Sequence, residues 1–196
     1  MAVSIEQENT ILRLWLLLRR VGDTLVRCQE SLFSKYGLTN EQWGVLTAIK
    51  ARGPLRPSDL AAILERTPNS MSMLIDRMVK AGLVKRTRDR KDRRVVTVSS
   101  TEKGKTAVEP AIPAGWEFIH EILSTLSDNE QCDLADLLER VKCQLVTYLE
   151  PEMNEAEILE MSLSNDPDLY ERMVKNLLPP GSEAKRTAGK KPGKAL

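Results

Sequence analysis

Histidine is almost missing from this chain. Its single copy, His120, leaves a histidine-based metal centre without ligands, and a catalytic histidine would lack an evident Ser or Cys partner. Cysteine is nearly as scarce. Cys28, Cys132 and Cys143 form no metal spacing, and their odd number argues against a disulfide framework, so buried reduced thiols are expected. Aromatic residues make up only 4% of the chain, which leaves Leu, Val and Ile to fill most of a core. Long apolar runs are absent too. The run 11–18 is short, broken by Arg13, and preceded by Glu6 and Glu8 rather than basic residues, unlike a signal peptide or a bilayer span. A phosphate-binding loop is lacking as well. These absences point away from an enzyme, a cofactor, a metal and a membrane, and toward a cytoplasmic protein.

What the chain does have is segregated charge. The formal net charge is only +1. Yet residues 77–105 hold eleven Lys or Arg against three acidic residues, a local +8. Residues 150–178 carry eight acidic against two basic residues, and 181–196 five basic against one acidic. A strongly cationic stretch beside a helix is an electrostatic footprint for polyanions.

Periodicity predicts a mostly α-helical protein with one small β-hairpin. Over 5–34, Ile11, Leu14, Leu18, Val21, Leu25, Cys28 and Leu32 form one helical stripe, thickened by Leu12, Trp15, Leu16 and Leu17. A helix apolar on more than one side needs more than one neighbour, including one from another subunit. Gly37 closes this region. Thr39 and Gln42 read as a capping box before a short helix with Trp43, Leu46 and Ile49 inward. Pro57-Ser58-Asp59 opens another helix. Thr67-Pro68 opens a third, with Met71, Leu74, Ile75, Met78 and Val79 inward and Ala81-Gly82 at its end. Two β-prone runs follow, flanking the polar tip Asp89-Arg90-Lys91-Asp92-Arg93. Beyond Thr101-Glu102-Lys103-Gly104, Pro110 and Pro113 predict a kink or break. Ser127 and Glu130 form a second capping box. It opens a helix with Leu134, Leu137, Leu138, Val141, Leu145 and Tyr148 on one face, ended by Pro151. Residues 150–178 read as an acidic helical extension and 179–196 as a disordered basic tail.

Three short helices followed by a basic hairpin are the plan of a winged helix-turn-helix. Its last helix lies in a major groove, with N-terminal residues toward base edges. Those residues are Thr67, Pro68, Asn69, Ser70 and Ser72, with Arg77 placed for a phosphate. Asn69 can pair bidentately with adenine. Taken alone, Thr67, Asn69 and Ser70 read better as capping residues; the hairpin downstream shifts the balance to the DNA reading. Arg90, Lys91, Arg93 and Arg94 of the wing suit the negative potential of a narrow minor groove.

In these residues the chain resembles the multiple-antibiotic-resistance regulator (MarR) family of winged-helix transcription factors. The likeness runs from Leu38-Thr39-Asn40-Glu41-Gln42-Trp43 through Leu60-Ala61 and from Asp76 to Arg86. It continues through Asp92 and Arg94 of the wing to Thr101-Glu102-Lys103-Gly104, within about 8–149. It implies a homodimer on a pseudo-palindromic site in double-stranded DNA. Residues 5–36 and 101–149 would form the helical dimerisation domain and 38–100 the winged helix-turn-helix domain. Asp92 would brace the wing. The family often responds to small phenolic or lipophilic anions held between the two parts, which makes Trp15, Trp43, Trp116 and His120 candidates for such a cleft; the same aromatics also suit a core. Redox-sensing relatives use a cysteine near the start of the first helix, and Cys28 lies too far along to match. The expected function is a sequence-specific transcriptional regulator, a repressor relieved by a ligand or another signal. The alternatives are a nonspecific architectural DNA binder, or an adaptor whose acidic 150–178 segment binds a protein partner.

Overall fold

The computed structural model describes residues 5–88, 96–149 and 151–152. Helix α1 (Ile5–Ser34) is followed by α2 (Asn40–Arg52), α3 (Pro57–Ile63) and α4 (Pro68–Lys80). Strands β1 (Val84–Arg88) and β2 (Val96–Ser100) then lead to α5 (Glu102–Val108), α6 (Ala111–Leu123) and α7 (Asp128–Leu149). The strands pair antiparallel, with Val84 opposite Ser100 and Arg88 opposite Val96. A third backbone segment joins this sheet: Leu55 exchanges two hydrogen bonds with Val98, at 3.1 and 2.7 Å.

Local chemistry explains the helix ends. Thr39 accepts from the Gln42 N–H at 3.2 Å, and Gln42 returns the bond to the Thr39 N–H at 3.0 Å, which completes the capping box. Thr67 caps α4 through the Ser70 N–H at 3.2 Å, with Pro68 at the first helical position. Ser127 and Glu130 open α7 in the same manner. At the far end of α4, Gly82 turns left-handed at φ 72°. The Leu83 N–H then reaches back to the Met78 carbonyl and the Gly82 N–H to that of Val79, both at 2.9 Å. This Schellman closure satisfies the last carbonyls of the helix and sends the chain into β1.

One hydrophobic core lies among α2, α3, α4, the sheet, α5, the end of α1 and the start of α6. Val45, Leu46, Leu60, Met71, Ile75, Met78, Val84 and Val98 are its fully buried members. Helix α2 sits centrally and buries Val45, Leu46, Thr47, Ala48 and Ile49, more than one side of the helix. Trp43 is half-buried and stacks on Phe33 of α1, with ring centroids 4.4 Å apart.

Several expectations need correction. Val79 is 39% exposed, because the buried side of α4 is already filled by Met71, Leu74, Ile75 and Met78. The two prolines produce one break. α5 and α6 part around Pro110, whereas Pro113 lies in the first turn of α6, where the backbone N–H has no intrahelical acceptor to lose. The cysteines are not buried within the chain. Cys28 and Cys132 are exposed and Cys143 is half-exposed, because they sit on helix faces that the described residues leave largely uncovered.

Those uncovered faces are extensive. Leu14, Trp15, Val21 and Leu25 of α1, Ile122 of α6, and Leu137, Val141 and Leu145 of α7 are all between 41 and 62% exposed, and α7 buries no residue. Among the described residues, no helix is long and apolar enough to cross a membrane.

Candidate nucleic-acid interface

Helix α4 is amphipathic, and packing decides which side remains available. Met71, Leu74, Ile75 and Met78 turn into the core. Asn69, Met73, Asp76, Arg77 and Lys80 stay exposed, with Ser72 between the two sides. Residues three or four apart share a helix face, so Asn69, Met73, Arg77 and Lys80 form one ridge over the length of the helix.

Not every predicted contact residue is equally free. Thr67 and Ser70 hold each other: the Thr67 hydroxyl accepts from the Ser70 backbone and lies 2.9 Å from its hydroxyl. Their first task is to hold the helix start, and Pro68 sets its geometry. Asn69, by contrast, is exposed at the first turn and forms no side-chain hydrogen bond among the described residues. The wing residues Arg90, Lys91, Asp92, Arg93 and Arg94 lie outside the described residues.

The wing's stem is described, and it is cationic. Beyond buried Val84, the β1 residues Lys85, Arg86, Thr87 and Arg88 are all exposed. Two carboxylates absent from the predicted site shape this surface. Asp76, on the outer side of α4, pairs with Arg86 and so ties the helix to the stem. Glu41, at the start of α2, lies 3.1 Å from Arg66 and 3.6 Å from Arg77. Arg77 is therefore steadied by an acid before any phosphate arrives. Both carboxylates fall in the stretches that carry the family likeness, but their partners are too distant in sequence to be read from spacing.

Helix α4 is also clamped from behind. The Thr101 hydroxyl donates to the carbonyls of Gly82 (2.6 Å) and Leu83 (3.1 Å) and accepts from the Gly104 N–H (3.1 Å). The Lys103 ammonium donates to the Ala81 carbonyl at 2.8 Å. The Thr101-Glu102-Lys103-Gly104 stretch thus locks α5 onto the end of α4. Nearby, Lys105 hydrogen-bonds Glu102 at 2.7 Å and, with help from Lys85, holds its carboxyl below the usual carboxylate range.

Of the four aromatic candidates for a ligand cleft, Trp43 reaches Gly115 on α6, next to Trp116, whereas Trp15 stands apart. Trp116 and His120 neighbour each other on α6 at 6.0 Å, and Trp43 packs on Phe33. Trp15, 54% exposed, stands on α1 roughly 27 Å along the axis from Phe33, at 1.5 Å per residue. The groove actually present between α1 and α6 has a volume of about 640 Å³ and is lined by Arg27, Cys28, Lys35, Tyr36 and Phe118, among others. Among the described residues no cluster of His, Cys, Asp or Glu suits a metal ion.

Known proteins resemble this chain in sequence and in fold. The sequence profile of the MarR family matches residues 36–95. The transcriptional regulator PecS of Dickeya dadantii is 30% identical over 132 residues, which cover 66% of this chain and 80% of that protein. The chain belongs to the MarR family. A second MarR-like relative, the transcriptional repressor MdtR of Bacillus subtilis, is 31% identical over 103 residues, 53% of this chain and 66% of its own length. The crystal structure of a MarR variant from E. coli with operator DNA superposes with a TM-score of 0.61 and 27% identity, covering 68% of this chain and 96% of that one. The MarR fold of this chain is thus a mostly helical protein with a winged helix-turn-helix.

Proposed function

We propose that this MarR-family chain is a homodimeric transcriptional repressor that inserts α4 into the major groove of a pseudo-palindromic operator and lays its wing along the flanking DNA. The carrying observation is the exposed ridge of α4, led by Asn69 and flanked by the cationic stem of β1. In this reading Thr67, Pro68 and Ser70 shape the helix start, Asn69 and Ser72 face bases, and Arg77 faces a phosphate. Arg90, Lys91, Arg93 and Arg94 serve the wing, with Asp92 bracing it.

The uncovered apolar faces of α1, α6 and α7 support the homodimer. In the dimer, 5–36 and 101–149 form the dimerisation part, and two winged parts at 38–100 read half-sites about one helical turn apart. The groove between α1 and α6, lined by Arg27 and Lys35, by Glu117 and Glu121, and by the apolar surface of Leu32 and Phe118, is where a small aromatic or lipophilic effector would sit, with an anionic one paired to the two cations. A DNA partner places the protein in the cytoplasm.

Selection of bound duplexes from a random library by the purified protein, at near-physiological salt, tests this. An enriched pseudo-palindrome is expected. Binding without an enriched motif would favour an architectural role, and absence of binding would favour an adaptor working through 150–178.

A further inference from the structure

A second concavity lies away from the recognition helix. It has a volume of about 500 Å³ and is walled by the end of α2, the Gly53-Pro54 turn, both strands and α5. Three lysines line it from three different elements: Lys50, Lys85 and Lys105. Ser99 and Ser100 of β2 also border it, with their side chains on opposite faces of the strand, and Glu109 is the single lining carboxylate. Ile49, Pro54 and Val108 complete the wall with apolar surface.

Strand geometry sets which way this cleft faces. Side chains alternate across a strand. Arg86 reaches back to Asp76 of α4, so its neighbour Lys85 belongs to the opposite face, where its cross-strand partner is Ser99. Lys85 and Ser99 therefore lie on the face of the sheet turned from α4, unlike Arg86 of the same stem, and a duplex lying along α4 does not supply their occupant. The other lysines are already engaged, Lys50 with Glu109 at 3.4 Å and Lys105 with Glu102 at 2.7 Å. Lys85 forms no salt bridge among the described residues.

We infer that this cleft binds a small phosphomonoester. Three lysines from separate elements and the Ser99 hydroxyl supply its donors, over a wall that is otherwise largely apolar. A tetrahedral phosphate has enough outward oxygens to meet donors arriving from several directions, whereas a planar carboxylate offers two in one plane. The apolar wall takes the organic part. Lys85 is the primary anchor, with Lys105 and Lys50 sharing charge with their glutamates.

The test is titration of the free full-length protein with phenyl phosphate, inorganic phosphate and benzoate, followed by calorimetry and by the amide resonances of Gly53, Ser99 and Ser100. Because no DNA is involved, its failure leaves the operator-binding reading untouched. Phenyl phosphate should saturate the cleft and bind more tightly than inorganic phosphate or benzoate. Lys85→Met should weaken it at least about tenfold, the effect of losing one charge-assisted hydrogen bond. Lys80→Met, on the outer side of α4, should leave it unchanged. Absence of saturable binding, benzoate binding as tightly, or an equal loss from Lys80→Met would each overturn the assignment. So would a Lys85→Met protein that keeps phenyl phosphate affinity but loses about 0.9 from the salt slope of duplex binding, which would assign Lys85 to the DNA backbone.

Discussion

A Cβ placed on Gly104 would stand 2.1 Å from the carbonyl oxygen of Leu83. The two residues belong to α5 and to the turn after α4, so this contact fixes α5 against the end of α4. The obstacle is backbone, not the tip of a flexible side chain, and α5 cannot sit closer than glycine allows. Gly104→Ala is therefore expected to destabilise the protein by about 1–3 kcal/mol, the range for overpacking a filled site. Chemical denaturation of the variant beside the parent measures this. Unchanged stability would mean that α5 can shift without loss, and that the clamp on α4 is soft.

Glu41 holds two arginines, Arg66 and Arg77, at the edge of the candidate DNA surface. Exposed pairs of this kind contribute little to stability, about 0–1 kcal/mol. Their larger effect is on what the arginines can do for DNA, because a phosphate must compete with Glu41. Glu41→Gln should leave folding nearly unchanged and tighten duplex binding at low salt. The slope of log affinity against log salt should steepen by about 0.9 for each arginine released to a phosphate. A slope identical to the parent's would show that neither arginine reaches the backbone.

The caps at Thr39, Thr67 and Ser127 were legible in the sequence because a cap is a local bargain between a hydroxyl and an N–H three residues on. The hairpin and the order of helices were legible for the same reason, as periodicity and turn residues act over a few positions. What escaped was long-range. Glu41–Arg77, Asp76–Arg86 and Gly104–Leu83 join residues from different elements, and no spacing rule announces them. Val79 was misplaced because its chemistry says apolar while the core beneath α4 was already full. The cysteines differ for the converse reason: their helix faces are apolar, but the described residues leave them largely uncovered.

Those uncovered faces carry a prediction about assembly. Leu137 on α7 is 53% exposed and lies on the face shared with Leu134, Val141 and Leu145. Burying a leucine side chain contributes about 1.5–3 kcal/mol, and a symmetric dimer counts the residue twice. Leu137→Glu should convert the dimer to a monomer by light scattering while the circular dichroism of the winged core stays intact, since Leu137 lies outside that core. A variant that remains dimeric would remove this face of α7 from the interface.

Asn69 and Arg94 test the two halves of the DNA reading against each other. Asn69 stands exposed at the first turn of α4, free of the hydrogen bonds that occupy Thr67 and Ser70. A bidentate asparagine–adenine pair discriminates by about 1–3 kcal/mol, so Asn69→Ala should lower affinity by that amount and relax preference at one base pair in each half-site. Its salt slope should not move, because no phosphate contact is lost. Arg94, in the wing, should also cost about 1–3 kcal/mol of specific binding when changed to Ala. Insertion into a narrow minor groove would spread that loss over the A·T content of the flanks rather than one position. Base-by-base competition with the selected operator separates the two patterns. Loss of preference at the same position in both variants, or no loss from Arg94→Ala in a folded protein, would remove the wing from sequence reading and leave α4 as the only reader.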